Sequence, residues 1–505
     1  MKESNECNFL KLFRKSKCLL LIAFAQSFKT AYCRDTATKT LHSVDLITKS
    51  SLRTDHDSTN PVLETLDINC NEIIETIPSS DVSSKFQEIL GQTFKSSTSA
   101  YTYYNTIGSR LIQYGIEVRK VCASCENISD EASFLEQNAF ISEFCGTDMT
   151  GSDVIYSGLL LVPLTNSGSK KVGSSSAFIY SRSLLYDPQT KPPSESWNSM
   201  VHSDEQAIVT FLAATSGYVT IIPDFSGYGE SSKYSVQKNI LVKKSYLRST
   251  IPLWFQAGKI LRQESLCQSF LADASVFGGY GEGGYASLVL ADGMKKSLNL
   301  DIMHVESGGT PYDIMTSVSH LVQGLARAKT SAKSKIWLEK LSSSYSSSKI
   351  LPTKLNSHQE TNLQLNFETD LVHILEENSL TDIIRDSPYS IRLCHSTNDE
   401  LFDFQNIPPF DINPQHVQFL ISDQYSHEEE SSICSLSILT VLLSKKTKSF
   451  AIQEDRKQAC IADLDTVSQS GHSTKMDLKF SSTHSISSWI PITLTVAISL
   501  LASIM

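Results

Sequence analysis

Positive charge is in short supply in this chain. Lysine and arginine number 44 against 54 aspartate and glutamate, a net charge of −10, and no long basic run occurs beyond the N-terminal segment. That balance argues against nucleic acid as a general partner. Zinc-site spacing is missing as well. Cys122 and Cys125 form a C-x-x-C, but no second pair stands at the distance a structural zinc requires. The strand–helix setting of a redox C-x-x-C is also absent. Neither a metal nor a cofactor is therefore expected. No internal repeat is visible, and the apolar run near the N-terminus is too short to span a membrane.

What is present fits a folded protein with processed ends. The 505 residues, 40% of them apolar, suffice for one large core or two ordinary ones. Lys11, Arg14, Lys15 and Lys17 precede the apolar run Cys18–Ala25, with A-x-A-like sites at Ala23–Ala25 and Ala31–Cys33, so residues 1–33 read as a cleaved signal peptide. At the other end, residues 489–505 are apolar, with no Lys or Arg after them. Small residues Ser481, Ser482 and Thr483 lie upstream of that tail. This order matches a glycolipid-anchor signal; a retained membrane segment is the alternative. A polar leader (34–81) and a polar stalk (451–488) complete the layout around a folded body at 82–450. The expected location is the secretory pathway and then the cell surface, membrane-anchored, or secreted. In that oxidising space most of the mature cysteines should pair, with Cys122, Cys125 and Cys145 as a local cluster. Asn127-Ile128-Ser129 is a glycosylation acceptor.

The body alternates strands and helices. Continuous apolar runs at Ile155–Pro163, Ser176–Tyr180, Tyr218–Pro223, Ala274–Phe277, Ile302–Val305, Ser390–Cys394 and Val417–Ile421 read as strands, and Gln206–Ala214 has helical spacing. Uninterrupted apolar strands separated by helices mean a mostly parallel sheet covered on both faces. Between about 320 and 385 helical segments flank a serine-rich stretch and read as an inserted cap. A last helix is expected over about Ser432–Leu443.

The chemistry-bearing stretch is Val276-Phe277-Gly278-Gly279-Tyr280-Gly281-Glu282-Gly283-Gly284. It has the form of a nucleophile elbow, G-x-S-x-G, with Gly279 and Gly283 as the flanking glycines. The position between them, where the attacking serine belongs, is Gly281. Elbow hydrolases place an acid and then a histidine later in the chain, each after a strand. Asp399 follows the strand ending near Cys394, and His427 follows the strand ending near Ile421, in a loop before the last helix. Asp399 would fix the histidine tautomer, and His427 would take the nucleophile's proton.

Four segments together resemble secreted bacterial and fungal lipases and esterases of the α/β-hydrolase superfamily. They are Pro223-Asp224-Phe225-Ser226-Gly227-Tyr228-Gly229-Glu230-Ser231, the elbow itself, Gly308–Ile314, and Ser157–Pro163. The resemblance runs from about 110 to 445. It implies an α/β-hydrolase fold and a cleft for a lipid or ester. It departs from the family twice. The serine is Gly281, and the glycine of the oxyanion-hole strand is replaced in Ile179-Tyr180-Ser181-Arg182-Ser183 by Ser183. Arg182, Ser183 and the backbone of Glu282 are the expected oxyanion region. The resulting expectation is a hydrolase scaffold with disabled catalysis and a binding role for a lipid, an ester or a protein partner. The alternative is a working carboxylic-ester hydrolase with a nucleophile elsewhere. A third reading takes Gly279-x-Gly281-x-x-Gly284, with Glu306 ending the next strand, as a dinucleotide fingerprint. It leaves Asp399 and His427 without a role.

Overall fold

The computed structural model describes residues 70–94, 98–124, 154–164, 176–183, 191–197, 205–234, 238–264, 275–326, 332–344, 369–407 and 416–444. All belong to the unit Met1–Glu454. The expected signal, stalk and C-terminal tail, most of the leader, Asn127, Cys125 and Cys145 lie outside the described residues. Among the described residues no helix is long and apolar enough to cross a membrane.

The described chain runs β1 (Ile73–Ile77), α1 (Ser79–Thr93), α2 (Thr98–Leu111), β2 (Gly115–Ala123), β3 (Tyr156–Leu164), β4 (Ala177–Ser181), α3 (Glu205–Thr215), β5 (Val219–Pro223), α4 (Lys243–Glu264), β6 (Ser275–Tyr280), α5 (Glu282–Leu298) and β7 (Ile302–Gly308). It continues through α6 (Ile314–Ala326), α7 (Ala332–Ser344), α8 (Thr369–Asn378), α9 (Thr381–Asp386), β8 (Ile391–Ser396) and β9 (Val417–Ser422). A last helix, α10, spans 427–444. The strands form one nine-stranded sheet in the order β1-β2-β3-β5-β4-β6-β7-β8-β9. Pairs from β1 to β5 are antiparallel, and those from β5 through β4 to β9 are parallel.

Why the strands read as continuous apolar runs is visible in β3. Leu160 and Val162 face one helical layer and Leu159 and Leu161 the other, so both faces of the pleat are buried. The first layer includes α4 (Ile251, Leu253, Trp254) and α5 (Tyr285, Leu288, Val289). The second includes α1, α2, α3 and α10, through Phe86, Tyr104, Phe211 and Leu439. The fold is an α/β-hydrolase fold, as the motifs imply. The chain reverses its direction of travel across the sheet at β4, which lies between β5 and β6. Open α/β sheets place their sites outside the carboxyl ends of the strands at such a switch point. Here that locus is bounded by Ser181–Ser183 and by Gly281.

Three expectations need correction. The sheet begins inside the polar leader: β1, with the exposed Ile73, pairs along β2. An edge strand of this kind carries little apolar signal because one face is wet. Cys122 is bonded to Cys70, 52 residues away, rather than to a near neighbour; the β1–β2 pairing brings them together. The last helix starts at residue 427, not near 432. Ser426 and Glu429 form a capping box there: the Ser426 N–H donates to Glu429 Oε2 at 3.1 Å, and the Glu429 N–H to Ser426 Oγ at 3.5 Å.

A second disulfide joins Cys394 to Cys434, so every cysteine among the described residues is paired. Thiol counting on the denatured, unreduced protein should leave Cys70, Cys122, Cys394 and Cys434 unlabelled. Labelling of any of the four contradicts these pairings. Closing the 40-residue loop of the second bridge stabilises the fold by about 4 kcal/mol in the chain-entropy account.

Candidate active site

The elbow is built by contact. Gly281 has φ 60° and ψ −124° and caps the N-terminus of α5. This is a region that side chains occupy only under strain. Its N–H donates to Gly308 O at 2.8 Å, and its carbonyl accepts from Thr310 Oγ1 at 3.1 Å. The flanking glycines are glycine for a different reason. A Cβ on Gly283 would lie 1.9 Å from Ser181 O, and one on Gly279 would lie 2.3 Å from Gly283 O. The end of β4 thus presses on the first turn of α5, and only hydrogens fit between them.

Asp399 and His427, 28 residues apart, meet at this end of the sheet. His427 Nδ1 lies 2.7 Å from Asp399 Oδ2. Asp399 Oδ1 accepts the N–H groups of Leu401 and Phe402, each at 2.8 Å. Both side chains are buried. Burial works against the charge on Asp399, but the adjacent His427, by its charge and its hydrogen bond, outweighs it and holds the carboxyl below its ordinary value. An ionised carboxylate only accepts, so His427 Nδ1 carries the hydrogen of this bond. A carboxyl held low contributes stability above the ordinary carboxylate range. That contribution is lost as pH falls through the lowered value.

His427 is not in a loop but is the first residue of α10, fixed by the capping box. Its N–H donates to Glu400 Oε2 at 2.9 Å, and its carbonyl accepts from the Tyr280 hydroxyl. Its ring lies between Tyr280 (centroids 4.9 Å apart) and Phe402 (5.5 Å, edge-on). Tyr280 precedes Gly281 in the chain, so the residue next to the elbow glycine contacts the imidazole. Phe402 in turn meets Trp337 of α7 edge-on at 5.2 Å. These aromatic partners were not legible in sequence, because nothing local marks Tyr280 or Phe402 as neighbours of His427.

Of the residues expected at the oxyanion region, Arg182 and Ser183 follow β4 and Glu282 opens α5. Ser183 is buried, and its Oγ has no hydrogen-bond partner among the described residues. Arg182 donates to Lys191 O at 3.3 Å. The Glu282 carboxylate is buried and accepts from Tyr246 of α4 at 2.8 Å, so the side chain is drawn toward α4. The P-D-x-x-G-x-G-x-S loop is structural. Asp224, fully buried, accepts from the Ser157 and Ser194 hydroxyls and from the Ser194 N–H at 2.9 Å. Burial pushes its carboxyl up, against those three bonds.

Glu306 does not end its strand. It sits inside β7, fully buried, with Oε2 3.0 Å from His304 Nε2. A ribose-binding acid must stand free at the strand end, so the dinucleotide reading loses its acid. Two clusters among the described residues are compact enough for a cation, Cys70–Cys122–Glu230 and Cys394–Glu430–Cys434. In each, both sulfurs are committed to a disulfide.

No protein-family model matches the sequence, and no curated protein does. Solved structures do match. The chain is similar to a Legionella pneumophila protein provisionally described as a hydrolase, with TM-score 0.47 and 13% identity over 74% of this chain and 96% of that one. It is similar to the rice cell wall degrading esterase LipA of Xanthomonas oryzae, with TM-score 0.45 and 11% identity over 76% and 98%. Candida antarctica lipase A matches with TM-score 0.37 and 14% identity over 64% and 74%. Residue roles rest on the geometry above.

One further acid belongs to the site. Glu430, one turn along α10 from His427, is buried and accepts from the Ser422 hydroxyl at the end of β9. Burial, helped by the Asp399 charge and opposed by Ser422 and His427, pushes its carboxyl up to about 7. The folded state then binds a proton that the unfolded chain releases near pH 4. The contribution of this group to stability should fall as pH rises from about 4 to 7, by about 3 kcal/mol in order of magnitude. Glu430→Gln, an isostere of the protonated acid, should flatten that slope and raise the melting temperature at pH 8. An unchanged pH–stability curve would remove Glu430 as its cause.

Proposed function

We propose that this chain is a hydrolase-fold binding protein that holds an ester or lipid in the former active-site cleft without cleaving it. One observation carries the reading. Asp399 and His427 are hydrogen-bonded to each other and the His427 ring contacts Tyr280, the residue before Gly281; read as the acid and base of a serine hydrolase, they lack the nucleophile. Without Oγ no acyl-enzyme forms, and loss of the nucleophile from such a triad costs about 10⁶ in turnover. The orphaned Ser183 hydroxyl at the oxyanion strand supports the same reading. The protein partner, the surface anchor and the secreted location complete the proposal.

The test is binding without turnover. A short-chain nitrophenyl ester should not be hydrolysed above a heat-killed control, while a non-hydrolysable ether analogue should bind saturably. Hydrolysis abolished by His427→Ala would overturn the proposal. It would favour the second reading, an ester hydrolase using another nucleophile, which the intact Asp399–His427 bond supports.

A further inference from the structure

We propose that the Cys394–Cys434 disulfide is the positioning element of the Asp399–His427 pair, clamping the start of α10 onto the strand that presents Asp399. The inference rests on the reading of His427 as the retained base.

The crosslink joins the two segments that bear the pair. Cys394 lies in β8, and the turn after that strand carries Asp399. Cys434 lies on α10, whose first residue is His427. His427, Glu430 and Cys434 follow the i, i+3, i+7 spacing of one helical face. Along that face the imidazole meets Asp399, Glu430 meets Ser422 of β9, and Cys434 meets β8. The Glu430 carboxylate and both sulfurs lie within 4.8 Å of one another. The bridge also packs against Tyr280, the residue before the elbow glycine, since Tyr280, Cys394 and Cys434 form their own buried apolar cluster. Gly308 allows this: a Cβ there would lie 2.7 Å from Tyr280 Cδ2 and 2.8 Å from Cys434 Sγ.

The rest of α10 has other anchors. Ile438, Leu439 and Leu442 are in the core, and Arg392 donates to Ser437 Oγ at 2.6 Å. Cutting the bridge therefore leaves the helix docked; its first turns keep the hydrogen bonds of His427 to Glu400 and Tyr280 and of Glu430 to Ser422, which on this proposal do not by themselves fix the register of those turns on β8. A hydrogen bond of 2.7 Å does not survive a small shift of that register. A merely stabilising disulfide predicts something else, namely a lower melting temperature with the pair intact. Cys70–Cys122, on the β1–β2 edge far from β8 in the strand order, is the internal control.

The readout is the low-field proton resonance of a carboxylate-bound histidine Nδ1–H, recorded on the full chain and assigned by its loss in His427→Gln. It should be present in the wild type and in Cys70→Ser/Cys122→Ser, and lost in Cys394→Ser/Cys434→Ser while circular dichroism stays native. If the last variant does not fold, phosphine reduction of the folded Cys70→Ser/Cys122→Ser protein cuts only the second of these bridges, and the same line is followed. A line that persists after the Cys394–Cys434 bridge is cut overturns the clamp and leaves the functional reading standing. A wild type with no such line at any pH removes the Asp399–His427 pair, and the clamp with it.

Discussion

Gly281→Ser is expected to turn a protein that ignores fluorophosphonate probes into one that they label. The elbow is already in the conformation that a nucleophile occupies, with φ 60° and ψ −124° at the cap of α5. Tyr280 ties the neighbouring position to His427 through a ring contact and a hydroxyl-to-carbonyl bond. A serine hydroxyl there would come within hydrogen-bonding reach of the imidazole, about 3 Å. Ester turnover should then rise by at least about 10³ over the wild type. That is below the roughly 10⁶ carried by a complete triad, because an oxyanion donor short at Ser183 costs about 10²–10³. Adding Ser183→Gly should recover part of the difference. The serine must accept a strained backbone, so the variant should also lose about 1–3 kcal/mol of stability. A Gly281→Ser protein that stays folded, with neither labelling nor turnover, would show that the Asp399–His427 pair does not address this position. The site would then have to be read as binding alone.

Gly283→Ala should be among the most damaging single substitutions in the chain, and Gly91→Ala should help. A Cβ at 283 would lie 1.9 Å from Ser181 O and 2.8 Å from Ser181 C, both backbone atoms of a central strand. Neither β4 nor α5 can retreat without opening the sheet at its switch point. The cost should exceed the usual overpacking penalty of about 1–3 kcal/mol. Soluble expression or a melting temperature near wild type would contradict the packing described for the elbow. At Gly91, on α1, nothing lies within 4 Å of the added carbon. Alanine there should add about 0.5–1 kcal/mol through helix propensity and reduced chain entropy. The same chemical change is thus expected to have opposite signs at two helical glycines, and paired thermal melts measure both.

The legibility of this protein divides by the range of the interaction. The apolar runs that became β3, β5, β7 and β8 stood out because both faces of each strand are buried or nearly so. The elbow stood out because a close-packed strand–turn–helix demands glycines at 279 and 283. The acid and base were placed by their order behind the strands, and the structure brings Asp399 and His427 into contact.

Sequence by itself determined the elements whose cause is local: the strand periodicity and the glycines of the elbow. Tertiary structure alone decided what depends on distant partners. It bonded Cys122 to Cys70 rather than to a neighbour, because an edge strand with a wet face leaves no clear apolar pattern. It set His427 between Tyr280 and Phe402, and placed Glu430 and a disulfide beneath it. It also returned Glu306 from a strand end to the interior of β7. Each of these is a contact between segments far apart in the chain. Its energy comes from burial and alignment after the sheet has formed, and no window of adjacent residues records it.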